Sequence, residues 1–221
     1  MDGILPAAGL ASRMRGIPKF LLPCDDVYTT LIEKHIIELG LVCETIWIPT
    51  RPDLVTLLES LSLPKDRVVI LPIKSNSMSE TVKYVVDIAR ADCFQLIMPD
   101  TFFQGGKPYT LLSEEPEFVN LACWRIREEQ RGKLGQVKLE NGFLVDIVDK
   151  DPNCSYEFSW GGLSFRRELL DYCSLEDPHI GYGVKNALLM GKKISATKIE
   201  GEYFDCGTPT EYLEMLRRIL T

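Results

Sequence analysis

The chain has 221 residues, 45% of them hydrophobic and 26% charged, with a formal net charge of −7. That profile fits one ordinary globular domain, or one domain with a small lobe. The acidic balance argues against a nucleic-acid partner, which needs a basic surface, and no apolar run approaches the ~20 residues that cross a bilayer.

Residues 3–6 read as a strand. The helix expected over 30–39 has an apolar stripe of Leu31, Ile32, His35, Ile36 and Leu39. A strand at 45–49, a helix opened by Pro52 and running to about 61, and a strand at 67–71 follow. A helix over 79–91 is expected to take Ser79 as N-cap and to bury Val82, Val85, Val86 and Ala89. The continuous apolar run 94–98 reads as a central strand. This alternation predicts an α/β fold with a mostly parallel sheet and helices on both faces. Further strands are expected at 118–125, 136–139, 143–148 and 157–165, with Asn141-Gly142 as a hairpin turn. Helices near 167–173 and 180–190, a strand at 193–199 and a helix after Pro209 complete the pattern. Without repeats or linkers, residues 1–221 are expected to form one domain, with one half at about 1–115 and the other at about 116–221.

Seven scattered cysteines without Cys-x-x-Cys spacing read as reduced, cytoplasmic, mostly buried thiols. Met1-Asp2-Gly3 has no basic region and enters a strand at once, so no signal peptide is expected. The two histidines, His35 and His179, lie far apart, which argues against a histidine metal site, and no Gly-x-Ser-x-Gly elbow is present.

The densest chemistry lies in residues 4–19. An apolar run ends in the small-residue turn Ala7-Ala8-Gly9, and Arg13 and Lys19 follow within one loop. Such a turn presents backbone N–H groups to a phosphate, and two cations neutralise its oxygens. A P-loop is excluded because Met14 stands where its second glycine is required, and a dinucleotide fingerprint because Ala11 and Met14 hold its second and third glycine places. Asp100 follows the strongest strand, and a carboxylate at that end points into the crevice where parallel sheets bind ligands.

Pro6-Ala7-Ala8-Gly9-Leu10-Ala11-Ser12-Arg13-Met14 with Pro18-Lys19 resembles the signature of the nucleotidyltransferases that make nucleotide sugars. Ala11 replaces that signature's second glycine. Tyr203-Phe204-Asp205-Cys206-Gly207-Thr208-Pro209 resembles the same family's Trp/Phe-x-Asp-x-Gly-Thr-Pro motif. The resemblance implies a Rossmann-like three-layer α/β/α sandwich with a mixed, mostly parallel central sheet, whose two halves bind nucleotide and sugar phosphate. It implies Mg²⁺ held by Asp100 and Asp205, although Pro99 replaces the glycine usual before the first aspartate. Arg13 and Lys19 would be catalytic. Ala8, Gly9, Ala11, Ser12 and Arg13 would meet the nucleotide, as would Ser77, Ser79 and Thr81, residues that a plain helix cap also explains. Gly135, Lys150 and Gly162 would meet the sugar phosphate, with Asp149 in place of a usual glutamate; a solvated lysine and a close-packed strand account for the last two equally well.

The implied activity joins a nucleoside triphosphate to a sugar 1-phosphate and releases pyrophosphate. Another phosphorylated acceptor such as phosphocholine, and a non-catalytic nucleotide-sugar sensor, are the alternatives. A glycosyltransferase is disfavoured because Pro99-Asp100-Thr101-Phe102 lacks a second acid. Family members often assemble as dimers or tetramers, which leaves a homo-oligomer open.

Overall fold

The computed structural model describes residues 1–10 and 12–220. β1 (Asp2–Ile4), β2 (Ile46–Thr50), β3 (Val68–Pro72) and β4 (Cys93–Ile97) pair in the order β3-β2-β1-β4, all parallel. Parallel strands need crossovers, and α1 (Leu31–Leu39), α2 (Val55–Glu59) and α3 (Met78–Ile88) lie in them. After β5 (Thr101–Gln104) and the short α4 (Pro108–Leu111), the pattern changes. β6 (Val119–Arg125), β7 (Gly135–Glu140), β8 (Phe143–Asp149), β9 (Phe158–Arg166) and β10 (Ser195–Lys198) extend the sheet in the order β9-β6-β10-β8-β7. β7 also pairs with β9, so these five strands return on themselves.

Among the described residues the nine-stranded sheet has four parallel and five antiparallel pairings. The sheet is mixed, as expected, but the expected parallel majority is not found: continuous parallel pairing is confined to β1–β4. Part of the reason is local. Asn141 (φ 51°) and Gly142 (φ 80°) close a tight turn between β7 and β8, and a tight turn joins only antiparallel strands.

Helix starts follow capping chemistry. Thr30 and Glu33 form a reciprocal capping box at α1. α3 is capped by Ser77, whose Oγ accepts from Glu80 N at 3.0 Å, rather than by Ser79 as expected. Ser77 has an acidic residue three positions on, and Ser79 is buried inside the first turn. The segment expected as a helix near 167–173 is a 3₁₀ turn, Arg167–Tyr172.

Buried apolar clusters occupy both faces of the sheet. Val82, Val85 and Val86 of α3, with Val184 and Ala187 of α5 (Gly181–Leu189), pack with Ile4, Phe94 and Leu96. Ile32, Ile36 and Leu39 of α1 pack with Leu5, Ile46, Ile48 and Ile97. A third cluster is smaller. β11 (Glu202–Asp205) pairs antiparallel with β5 as a separate two-stranded ladder, and α6 (Pro209–Ile219) covers it through Met215 against Phe102, Phe204 and Cys206.

His35 ties α1 to that ladder. Its Nε2 lies 2.9 Å from Thr101 O and its Nδ1 2.7 Å from Tyr109 Oη. Full burial pushes its pKa from 6.5 down to about 4. The unfolded chain therefore binds the proton that the folded chain refuses between those values. Stability is expected to fall by roughly 3 kcal/mol as pH drops from about 6.5 to about 4. Denaturation midpoints over that range should flatten in His35→Gln; an equally steep profile in the variant would reject the assignment.

Candidate active site

Two adjoining cavities open at the carboxyl end of β1–β4. The larger, of about 880 Å³, is lined by Ala8, Gly9, Arg51, Asn76, Ser77 and Thr81, among others. The smaller, of about 170 Å³, brings together Arg13, Asp100, Asp205, Gly135 and Lys150. Met78 and Met98 belong to both walls.

The loop after β1 is held open by its neighbours. Ala7 N donates to Pro49 O at 2.9 Å, and Thr50 Oγ1 donates to Ala7 O at 3.1 Å. Arg51, paired with Asp53 at 2.9 Å, donates from Nη1 to Gly9 O at 3.0 Å. The N–H groups of Ala8, Gly9 and Leu10 make no hydrogen bond to another described residue, so the turn keeps donors for an anion. Arg13 follows in a 3₁₀ turn, Ser12–Met14, anchored by buried Met14. Lys19 opens a second such turn, anchored by buried Phe20, and its Nζ lies 3.1 Å from Asp100 Oδ2.

The acidic pair is made by the β5–β11 ladder. Asp205 registers with Thr101, and Cys206 N donates to Asp100 O at 2.9 Å. Tyr203 fixes β11 from inside, its ring against Trp124 at 5.3 Å and Phe103 at 5.9 Å, and Gln130 Nε2 donates to Tyr203 O at 2.7 Å. Gly207 leaves room for the carboxylate, because a Cβ there would sit 2.9 Å from Asp205 Oδ1. Thr208 then caps α6 and Pro209 starts it. Enclosure pushes the Asp205 pKa up to about 7, helped by the charges of Asp100 and Glu211 and opposed by Lys19 and Arg13. Two carboxylates thus stand against two cations, Arg13 and Lys19, and the oxygen donors of the pair suit a hard divalent cation. No group of three or more His, Cys, Asp or Glu side chains converges among the described residues. Any such ion would complete its shell with substrate oxygens and water.

Other expected residues fall elsewhere. Ala11 lies outside the described residues. Ser12 is exposed and lines neither cavity, and Ser79 is buried with its hydroxyl unpartnered. The hydroxyls of Ser77 and Thr81 are engaged within the protein: Ser77 Oγ donates to Leu175 O at 2.7 Å and Thr81 Oγ1 to Ser77 O at 2.9 Å. Gly162 faces the core, where a Cβ would meet Ile97 Cδ1 at 2.6 Å; Gly161 lines the cavity instead.

The sequence left Lys133, His179 and the link from Arg51 to Gly9 unassigned, and no spacing signal pairs them with their partners. Gly135 and Gly181 are glycine for one shared reason. A Cβ on Gly135 would collide with Trp160 Nε1, and one on Gly181 would lie 2.9 Å from Trp160 Cζ2. Gly135→Ala is therefore expected to displace the indole and raise the Michaelis constant of whatever fills the smaller cavity by about tenfold, read by steady-state kinetics. An unaltered constant would show that Trp160 does not shape that wall.

No protein-family model matches the sequence, and no curated protein matches it either. Solved structures do. A UDP-glucose pyrophosphorylase complexed with UDP-glucose matches with a TM-score of 0.81 at 17% identity, over 99% of this chain and 98% of that one. A UTP-bound UGPase from Acinetobacter baumannii matches with a TM-score of 0.75 at 16% identity, over 98% of this chain and 92% of that one. An inositol-1-phosphate CTP transferase from T. maritima matches with a TM-score of 0.76 at 16% identity, over 99% and 95%. At these identities, what the chain shares with the three along nearly its whole length is their mixed α/β fold.

Proposed function

We propose that this chain is a nucleotidyltransferase that joins a nucleoside triphosphate to a sugar 1-phosphate, yielding a nucleotide sugar and pyrophosphate. One observation carries the reading. A loop whose N–H groups at Ala8, Gly9 and Leu10 make no hydrogen bond among the described residues opens beside a ladder-held aspartate pair flanked by Arg13 and Lys19, on a scaffold shared with pyrophosphorylases. We read that scaffold as a Rossmann-like three-layer sandwich, since apolar clusters line both sheet faces.

The larger cavity takes the nucleoside triphosphate and the smaller one the acceptor. A phosphomonoester oxygen of the acceptor attacks the α-phosphorus, the bond to the β-phosphate breaks, and pyrophosphate leaves. The attacking group is already largely ionised at neutral pH, with a second pKa of about 6, so no general base is needed. The barrier is the meeting of two anions, and catalysis reduces to positioning and charge neutralisation. The N–H groups of Ala8, Gly9 and Leu10 cradle the triphosphate. Arg13 neutralises charge on the transferring phosphate, Lys19 holds Asp100 in place, and Lys150 orients the acceptor phosphate. Asp100 and Asp205 would hold Mg²⁺, which supplies further neutralisation of phosphate oxygens.

The test is pyrophosphate release with Mg²⁺, each nucleoside triphosphate, and a panel holding glucose 1-phosphate, inositol 1-phosphate and phosphocholine. Turnover with a sugar phosphate supports the reading. Triphosphate binding without turnover favours a sensor, and neither binding nor turnover rejects both.

A further inference from the structure

His179 sits in the loop ahead of α5, and its imidazole forms part of the smaller cavity. Gly181 N–H donates to His179 Nδ1 at 3.2 Å. The ring nitrogen left to carry a proton is Nε2, which lies 3.3 Å from Asp149 Oδ2. The imidazole is further fixed between Trp160, at a ring separation of 6.0 Å, and Tyr182, at 4.9 Å. A side chain on Gly181 would destroy this arrangement, since a Cβ would lie 2.9 Å from His179 Nδ1. The loop carrying His179 is itself pinned to the start of α3, where Met78 N donates to Pro178 O at 3.3 Å and Ser77 Oγ to Leu175 O at 2.7 Å.

From this we infer that His179 is a positioning residue: it holds one oxygen of Asp149 and thereby aims the other at a hydroxyl group of the acceptor. The inference rests on the nucleotidyl-transfer reading and sharpens its acceptor. Asp149 shares its cavity with Arg13, Lys133 and Lys150 and faces His179. One of its carboxylate oxygens is engaged by His179, and the lone pairs of the other stay available to accept hydrogen bonds. A hydroxyl-bearing body can donate to those lone pairs, whereas a quaternary amine has no N–H or O–H to offer them.

The test is steady-state pyrophosphate release with glucose 1-phosphate, inositol 1-phosphate and phosphocholine as acceptors, on wild type, His179→Ala, His179→Gln and Asp149→Asn. His179→Ala is expected to raise the acceptor KM about tenfold while the triphosphate KM stays within about twofold. His179→Gln should recover most of the loss, because its amide can accept from Gly181 N–H and donate to Asp149. The double variant His179→Ala/Asp149→Asn should be no worse than Asp149→Asn alone. An acceptor KM indifferent to His179→Ala, failure of His179→Gln to rescue a variant that melts like wild type, or a preference for phosphocholine would each overturn the inference while leaving nucleotidyl transfer in place. A wild-type protein inactive with every pair would overturn both.

Discussion

Lys19→Ala is expected to lower turnover in the proposed nucleotidyl transfer by about 10²–10³ while the chain still folds. The lysine and its partner are mostly enclosed, with side chains 13% and 19% exposed, and the contact is short at 3.1 Å. Its removal leaves Asp100 and Asp205 facing each other with one cation fewer. Lys19 is among the charges that hold down the Asp205 pKa, so that pKa rises further in the variant. On the nucleotidyl-transfer reading, more Mg²⁺ should then be needed for half-maximal pyrophosphate release. The fold survives because the anchor of this turn is the neighbouring Phe20, 5% exposed, which the substitution leaves in place. Pyrophosphate release against Mg²⁺ concentration, with a thermal melt as control, checks both statements. Turnover within threefold of wild type would remove Lys19 from the mechanism.

Asp205→Asn should abolish measurable turnover and yet stabilise the metal-free protein. With a folded pKa of about 7 against 3.8, Asp205 takes up a proton on folding between roughly pH 4 and pH 7. Stability is lost as pH rises through that window, because the enclosed carboxyl is then ionised beside Asp100. Three pH units correspond to on the order of 4 kcal/mol as an upper bound. An amide has no such charge. At pH 8 the variant should therefore melt roughly 5–10 °C higher than metal-free wild type, and the gap should shrink towards pH 4. Mg²⁺ should raise the melting temperature of the wild type at pH 8 and leave that of the variant nearly in place. A variant that melts lower than wild type at pH 8 would show that Asp205 is not a strained charge.

Much of this was legible in the chain because its signals are local. The stripe from Leu31 to Leu39 and the run Phe94–Ile97 declare their elements by period and apolarity, and Asn141-Gly142 declares its hairpin. Arg13, Asp100, Asp205, Gly135 and Lys150 do meet at one cavity, although no spacing rule could have joined them. What stayed hidden depends on partners distant in sequence. β5 and β11 are too short and too mixed in polarity to read as strands alone, and they exist because they pair with each other. Gly161 and Gly162 are indistinguishable in sequence; only the fold decides that one faces Ile97 and the other the Tyr203 ring at the cavity wall. His179 looked like an isolated loop residue because Asp149 reaches it only once β8 is laid beside β7.

The β5–β11 ladder also sets an order of assembly. Lys19 and Asp100, on one side of the site, both precede β5 in the chain. Asp205 arrives only when β11 has been made, and it stays only if α6 closes over Phe102 and Phe204. Contacts between such distant segments form late, after the entropy of the long intervening loop has been overcome. A chain still emerging from the ribosome therefore carries half of the acidic pair, and the pair is complete only once β11 and α6 are in place.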